Sequence, residues 1–302
     1  MTESTQQLPW YRRTVRWGQT NLNELDPTRY DAEWWRAYWR RTRVQGLVVN
    51  AGGIVAYYPS RFPLHYRAEH LGERDLFGEI VALAREEGLA VLARMDSNRA
   101  LPAFYEAHPD WFTVDAEGQP NVSQGRYRAC VNSPYYRVYL PDVLGEIIDR
   151  YHPEGFTDNS WTGMGRDWIC HCPHCKAKFG AEVGLDLPRR VDWEDETYRR
   201  WIRWSYACRV EIWALNNART QSQGGADCLW LGMIHGDPIH SHLAFCDLQE
   251  IGARSVMLMS DQQSRNVTGF AQNAISGKLL HAVMEPNGVH DAVIPESMAT
   301  YV

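Results

Sequence analysis

Residues 155–179 read GFTDNSWTGMGRDWICHCPHCKAKF (Gly155–Phe179), and this stretch decides how the rest of the chain is read. Gly155, Phe156 and Thr157 have the character of a short buried strand, fed by a helical pattern carrying Ile147, Ile148 and Tyr151. Asp158 follows where a parallel strand would open into its loop. Strand–helix proteins place their chemistry at this carboxyl rim, so a carboxylate there is a candidate functional group. Twelve residues on, Cys170-His171-Cys172-Pro173-His174-Cys175 packs three thiols into a Cys-x-Cys-x-x-Cys cluster.

Outward from this stretch the chain alternates. Strand-like runs fall at Thr14–Asn21, Gly46–Gly53, Leu89–Met95, Gly155–Thr157, Asp227–Gly236, Arg254–Ser260 and His281–Met284. GLVVNAGG is almost continuously apolar, as a strand buried on both faces must be. Helical patterns separate the runs: DAEWWRAYWRRTRV behind the cap residue Asp31, LFGEIVALAREEG behind Asp75, YYRVYLPDVLGEIIDRY, Glu196–Ala218, HLAFCDLQEIGA and GFAQNAISGKLL. Alternation of this kind means a parallel sheet with helices outside. The expected fold is α/β, a (β/α)8 TIM barrel that is incomplete or degenerate at its C-terminal end. One domain is expected over residues 1–302, with a stapled loop around 159–180. VIPESMATYV stops where an eighth unit should begin, so the native protein is expected to be longer.

The runs also end alike. Asp96 closes the third, Asp158 the fourth, Asp261 the sixth and Glu285 the seventh, with Glu296 further on in IPES. The loop GIVAYYPSRFPLHYR after the second run brings Tyr57, Tyr58 and His65 to the same rim, and long loops after strands are where such folds keep binding residues. Phe104–Gln124 is polar, bears Gly and Pro, and reads as an excursion above the rim.

Composition narrows the function. The 302 residues are 44% hydrophobic and 23% charged, as in a soluble globular protein. A net charge of -6 argues against a nucleic-acid binder. No apolar run reaches the ~18 residues of a membrane span. MTESTQQLPWYRR lacks an apolar signal core, so a cytoplasmic location is expected. Thirteen tryptophans are an excess, and indole faces stack on sugar rings as readily as they fill cores. The sugar reading is reserved for Trp17 and Trp161 at strand ends; Trp34, Trp35, Tyr38 and Trp39 fall at the spacing of a helix packed on a sheet.

Seven cysteines, three of them within six residues, point to metal ligation more than to disulfides in such a chain. A structural zinc needs a fourth ligand beside Cys170, Cys172 and Cys175. Cys130, His171 and His174 are the candidates; the histidines sit too close in sequence for a cluster this tight, and Cys130 is preferred. Four thiolates leave no open coordination position, so the expected zinc is structural.

With these residues in hand the chain resembles known families. A strand ending in a carboxylate, then Cys-x-Cys-x-x-Cys-x-x-x-Phe with an upstream Cys, is similar to the zinc-bearing region of family 42 β-galactosidases. Over nearly the whole chain it resembles hypothetical glycosyl hydrolase family 6, through NAGGIVAYYPSRFPLHYR, VLARMDSNRA, CVNSP, GFTDNSW, CHCPHCKAKF, QNAISGKLLH and PESMATY. Family 42 has an Asn-Glu pair at the end of strand four, whereas this chain has Thr157-Asp158-Asn159. An Asp there is similar to the nucleophile of α-L-fucosidases.

The resemblance implies a retaining, exo-acting glycosidase of β-galactosidase-like or α-L-fucosidase-like type with a carbohydrate substrate; charge and hydropathy argue against nucleic-acid and membrane partners, and barrels of this kind often associate as homo-oligomers. It makes Asp158 the nucleophile. Asp261 is the preferred acid/base, ahead of Glu296 and Glu285. Arg94 and Arg99 should hold Asp96 ionised for hydroxyl binding, and His65, His235, Asn50 and Asn159 should bind or position substrate. A non-catalytic carbohydrate-binding barrel is the alternative, and a metal hydrolase using Asp96, His65 and Asp158 is a third reading.

Overall fold

The computed structural model describes residues 8–235, 238–261, 271–284 and 293–295. Its frame is a parallel sheet. β1 (Trp17–Thr20), β2 (Gly46–Gly53), β3 (Ala90–Asp96), β7 (Gly155–Asp158) and β8 (Leu229–Gly232) pair side by side in that order. After Met233 the chain enters β9 (Ile234–His235), which pairs in parallel with β10 (Leu258–Asp261), itself paired with β11 (Val293–Pro295). The parallel strands therefore neighbour one another in chain order. The remaining strands, β4 (Arg99–Ala100), β5 (Val122–Ser123) and β6 (Arg126–Arg128), form a separate antiparallel sheet in the excursion after β3.

The local causes are plain in the sequence. All eight residues of β2 are buried, as its apolar run requires. Asp31 caps helix α2 (Ala32–Thr42) by accepting from the Trp34 amide, and Asp75 caps α3 (Leu76–Glu86) by accepting from the Gly78 amide. Gly53 ends β2 at φ +102, and a Cβ there would lie 2.4 Å from the Asp96 carbonyl oxygen. Only glycine lets the two strand ends approach this closely.

Alternation along the strands separates two apolar layers. Leu47, Val49, Val91, Ala93, Met95, Phe156 and Trp230 pack with the helices, against Val143 and Ile147 of α5 (Leu140–Tyr151) and Ile212 and Trp213 of α7 (Glu196–Gly224). Val48, Leu92, Leu229, Leu231, Met257 and Met259 form the inner layer, with Trp10 in the same cluster. The inner face of the curled sheet is therefore a packed core at its amino end.

The parallel strands in chain order meet the expected incomplete barrel in part: among the described residues no strand pairs β1 with β11, so no closed (β/α)8 barrel is found there. Two expectations change. His281–Met284 is not a strand: it is the last turn of the helix Ala271–Met284, because no Gly or Pro interrupts the pattern between Leu280 and Pro286. HLAFCDLQEIGA is two short helices, α8 (Pro238–Leu243) and α9 (Leu248–Gly252); Phe245 takes φ 60 between them and Asp247 caps the second.

Candidate functional site at the carboxyl ends of the strands

Above the inner apolar layer the same face turns polar. Asn50 pairs in register with Arg94, and Arg94 with Thr157, while Gly53 lies opposite Asp96 and His235 opposite Asp261. Residues two apart share a face, so Arg94 and Asp96 follow inner-layer Leu92, and Asp261 follows Met257 and Met259. Asn50, Arg94, Asp96, Asn159, His235 and Asp261 thus fall on the inner face at the rim. Asn50 is fixed from both ends: its Oδ1 accepts from the Leu22 amide at 3.0 Å, and its Nδ2 donates to Asp96 Oδ2 at 3.4 Å. Arg94 is buried, donates through Nη1 to Asn21 Oδ1, and sits with Nε 3.9 Å from Asp96 Oδ2.

Asp96 keeps 29% of its side chain exposed, which makes it a carboxylate open to the mouth. Burial nonetheless raises its carboxyl above the usual range, against the pull of Arg94 and a hydrogen bond from Asn159. Desolvation is the larger effect, so burial acts on this carboxyl as well as the charge of the arginines.

Asp158 lies differently. It follows Phe156 by two residues and takes the helix-facing side, opposite Met95 on β3 and Gly232 on β8. It is 3% exposed, and its Oδ1 accepts from the amides of Ser97 (3.3 Å) and Ser160 (3.2 Å). Burial pushes its carboxyl up to about 7, with the charge of Asp96 adding to the effect. Tyr135 and Tyr136, close enough to feel its charge, are both buried. Asp158 is thus a buried group tying the loop after β3 to the loop after β7.

His65 is buried on the helix side of the same rim. Its Nε2 accepts from the Gly53 amide at 3.2 Å, so Nδ1 carries the proton and donates to Ser60 Oγ at 3.1 Å. Burial lowers its basicity to about 3, and its two ring nitrogens are spent on the protein, which leaves neither for a metal or a sugar hydroxyl. Trp161 is 1% exposed, donates to the Met233 carbonyl and packs edge-on against Trp213 and Trp230. Trp17 packs edge-on against Trp10 at the amino end of β1, the end opposite the rim. Neither indole offers a face to the mouth. His235 is exposed, its ring 5.6 Å from that of His240. Glu285 and Glu296 lie outside the described residues.

Two groups escaped the sequence reading. Glu146 on α5 is 2% exposed and accepts from Tyr58 Oη (2.9 Å), Ser60 Oγ (2.8 Å) and the Arg61 amide (2.6 Å). Its signal was an acid set among Val143, Leu144, Ile147 and Ile148 on an apolar helix face. Arg126 and Arg128 flank Tyr127 on β6, and their signal was the period-two Arg-Tyr-Arg pattern.

The cysteines do converge. Cys130, Cys170, Cys172 and Cys175 place their sulfurs within 4.8 Å of one another, with Cys130–Cys175 at 3.3 Å and Cys130–Cys172 at 3.5 Å. These separations are too long for disulfides and suit four sulfurs around one ion. Amide donors point at the sulfurs: Asn132 N to Cys130 and Asn132 Nδ2 to Cys175, both 3.4 Å, and Cys175 N to Cys172 at 3.5 Å. His174 instead meets Asp110 at 2.9 Å.

Fold and rim together define a strand–helix protein of parallel type that gathers its polar side chains at the carboxyl ends of its strands. Residues 31–160 match the family described as "Hypothetical glycosyl hydrolase 6". No curated protein matches the chain in sequence. Among solved structures the chain is similar to the PgaB (BpsB) glycoside hydrolase domain from Bordetella bronchiseptica, at TM-score 0.69 and 14% identity, over 93% of this chain and 83% of that one. It is also similar to a beta-galactosidase from Bacillus circulans sp. alkalophilus, at TM-score 0.64 and 16% identity, over 89% of this chain and 43% of that one. Alpha-L-fucosidase isoenzyme 2 from Paenibacillus thiaminolyticus gives TM-score 0.58 at 13% identity, over 95% of this chain and 46% of that one. The chain thus spans less than half the length of these last two enzymes. At such identities the likeness is one of fold. Among the described residues no helix is long and apolar enough to cross a membrane.

Proposed function

We propose that the chain is a glycoside hydrolase acting on a carbohydrate at the rim of its parallel sheet. The observation that carries this reading is the set of polar side chains on the inner face: Asn50, Arg94, Asp96, Asn159, His235 and Asp261, two of them carboxylates on different strands. Glycoside hydrolysis needs such a pair, one carboxylate to attack or to activate water and one carboxyl to protonate the leaving oxygen. Asp96, backed by Arg94 and Asn50, is the nucleophile or base. Asp261 is the acid/base from across the mouth. Asp158 moves from nucleophile to a positioning role, since it shares Phe156's face and holds the Ser97 and Ser160 amides. Asn50, Asn159 and His235 bind sugar hydroxyls. A retaining, exo-acting reaction remains the preferred form, whether on a β-galactoside-like or an α-L-fucoside-like substrate.

The cysteine cluster fits a zinc ion. Cys130, Cys170, Cys172 and Cys175 would hold it, with amide donors on their sulfurs, and four thiolates make it structural. It would tie the loop after β7 to the excursion after β3.

The test is turnover of aryl glycosides by the wild type and by Asp96→Asn. A loss of at least ~100-fold is expected, the scale of removing one acid–base partner. An unchanged rate overturns the assignment of Asp96.

A further inference from the structure

The excursion after β3 carries a concentration of positive charge that hydrolysis of a neutral sugar does not need. In its antiparallel sheet Arg99 lies directly opposite Arg128, and Arg126 precedes Arg128 by two residues. Residues directly opposite and residues two apart share a face, so Arg99, Arg126 and Arg128 stand together on one side. The other side is identified by Tyr127, which stacks on Tyr105 at 3.9 Å and meets Phe112 edge-on, and by buried Ala100 opposite it.

Like charges facing one another across a strand pair are destabilising unless a counter-charge comes between them. Here none comes. Among the described residues no carboxylate forms an ion pair with Arg99, Arg126 or Arg128; Arg99 Nε donates to Asn98 Oδ1 at 3.2 Å, and the buried Nε of Arg128 has no hydrogen-bond partner. Burial and the charge of Arg99 lower the basicity of Arg128. The small sheet is tied to the rim by the Asn98 amide, which donates to Ser160 Oγ at 3.3 Å, and by the Ala129 amide, which donates to the Asn98 carbonyl at 3.0 Å. Arg99 and Arg126 are also near enough to pull the Asp96 carboxyl down, and Arg126 to act on Tyr57 and Tyr66 of the loop after β2. Glu24, the acid near those tyrosines, is engaged by the Tyr66 hydroxyl (2.9 Å) and the Glu69 amide (2.8 Å).

We propose that the mouth takes an anionic carbohydrate, a glycan bearing uronate or sulfate groups whose acid oxygens dock on Arg99, Arg126 and Arg128. Planar guanidinium groups bind such oxygens in pairs, and docking would supply the missing counter-charge. The inference rests on the glycosidase reading and adds the class of substrate to it.

The test is binding of the full chain to a glycan array holding neutral, uronate-bearing and sulfated oligosaccharides, with the best ligands titrated calorimetrically at low and high salt. Acidic glycans should bind at least ~10-fold tighter than their neutral counterparts and weaken with salt. Arg126→Gln should erase the preference, while Arg126→Lys, which keeps the charge at a half-buried strand position, should retain most of it. The uronate and sulfate arms tell which acid group is read. Equal binding of neutral and acidic glycans overturns this inference and leaves the glycosidase reading standing. An acidic preference untouched by Arg126→Gln also overturns it. Binding of no glycan in any arm overturns both.

Discussion

Asp158 and Asp96 are one residue apart in the register of two paired strands, yet they face opposite sides of the sheet. The difference sets their chemistry. Asp158, shut in beside Tyr135 and Tyr136, is a carboxyl whose protonated form is favoured up to about pH 7. Its folded value lies above the unfolded one of 3.8, so the folded state holds a proton that the unfolded chain releases. Its contribution to stability is therefore complete below pH ~4 and is lost as the pH rises through ~7, by up to roughly 4 kcal/mol. Asp158→Asn should flatten this dependence while keeping an oxygen for the Ser97 and Ser160 amides. Denaturant midpoints at mildly acidic and mildly alkaline pH check it, and an undiminished pH slope in the variant would refute the assignment. At Asp96 the sequence shows the charges but not the burial. Arg94 and Arg99 lie within three residues of it in the chain, whereas the burial that acts against them is a property of the folded rim.

At the scale of elements, the loop after β2 is held from behind by a helix. Glu146 on α5 collects three donors from Tyr58, Ser60 and Arg61, and Ser60 passes the constraint through His65 to the Gly53 amide beside Asp96. Removing a buried carboxylate that three donors depend on costs roughly 3 kcal/mol or more. Glu146→Ala should lower stability by that amount and disturb the mouth; a change within ~0.5 kcal/mol, the range of ordinary surface substitutions, would mean the network is ornamental. In the proposed reading a zinc held by the four cysteines would fasten the loop after β7 in a similar way. Elemental analysis should find about one zinc per chain. Chelation or Cys175→Ser should lower the melting temperature, and a metal-free protein of unchanged stability would count against the staple. Helix and strand limits were legible where apolar period and cap agreed, as at Gly46–Gly53 and behind Asp31 and Asp75. They were not legible at His281–Met284, where a short apolar run suits a strand or a helix end equally.

For the whole molecule, chain-order pairing of parallel strands was readable from alternation alone, and so was the convergence of Cys130 with the CHCPHC cluster. Which face each rim residue takes was not, because a shift of one residue reverses it and strand ends cannot be fixed that finely from sequence. That is how Asp158 and Trp161 came to be read as facing substrate, and how the arginine face of the excursion went unread. The central claim is that hydrolysis occurs on the inner face, between Asp96 and Asp261, with Asp158 behind it. The most direct measurement is the turnover rate of the best-cleaved aryl glycoside, drawn from a panel of hexosides and hexuronides, in Asp96→Asn, Asp261→Asn and Asp158→Asn. The account predicts that the first two each lose at least ~100-fold while Asp158→Asn keeps most of its rate. Loss confined to Asp158→Asn would contradict it and return the nucleophile to the end of β7.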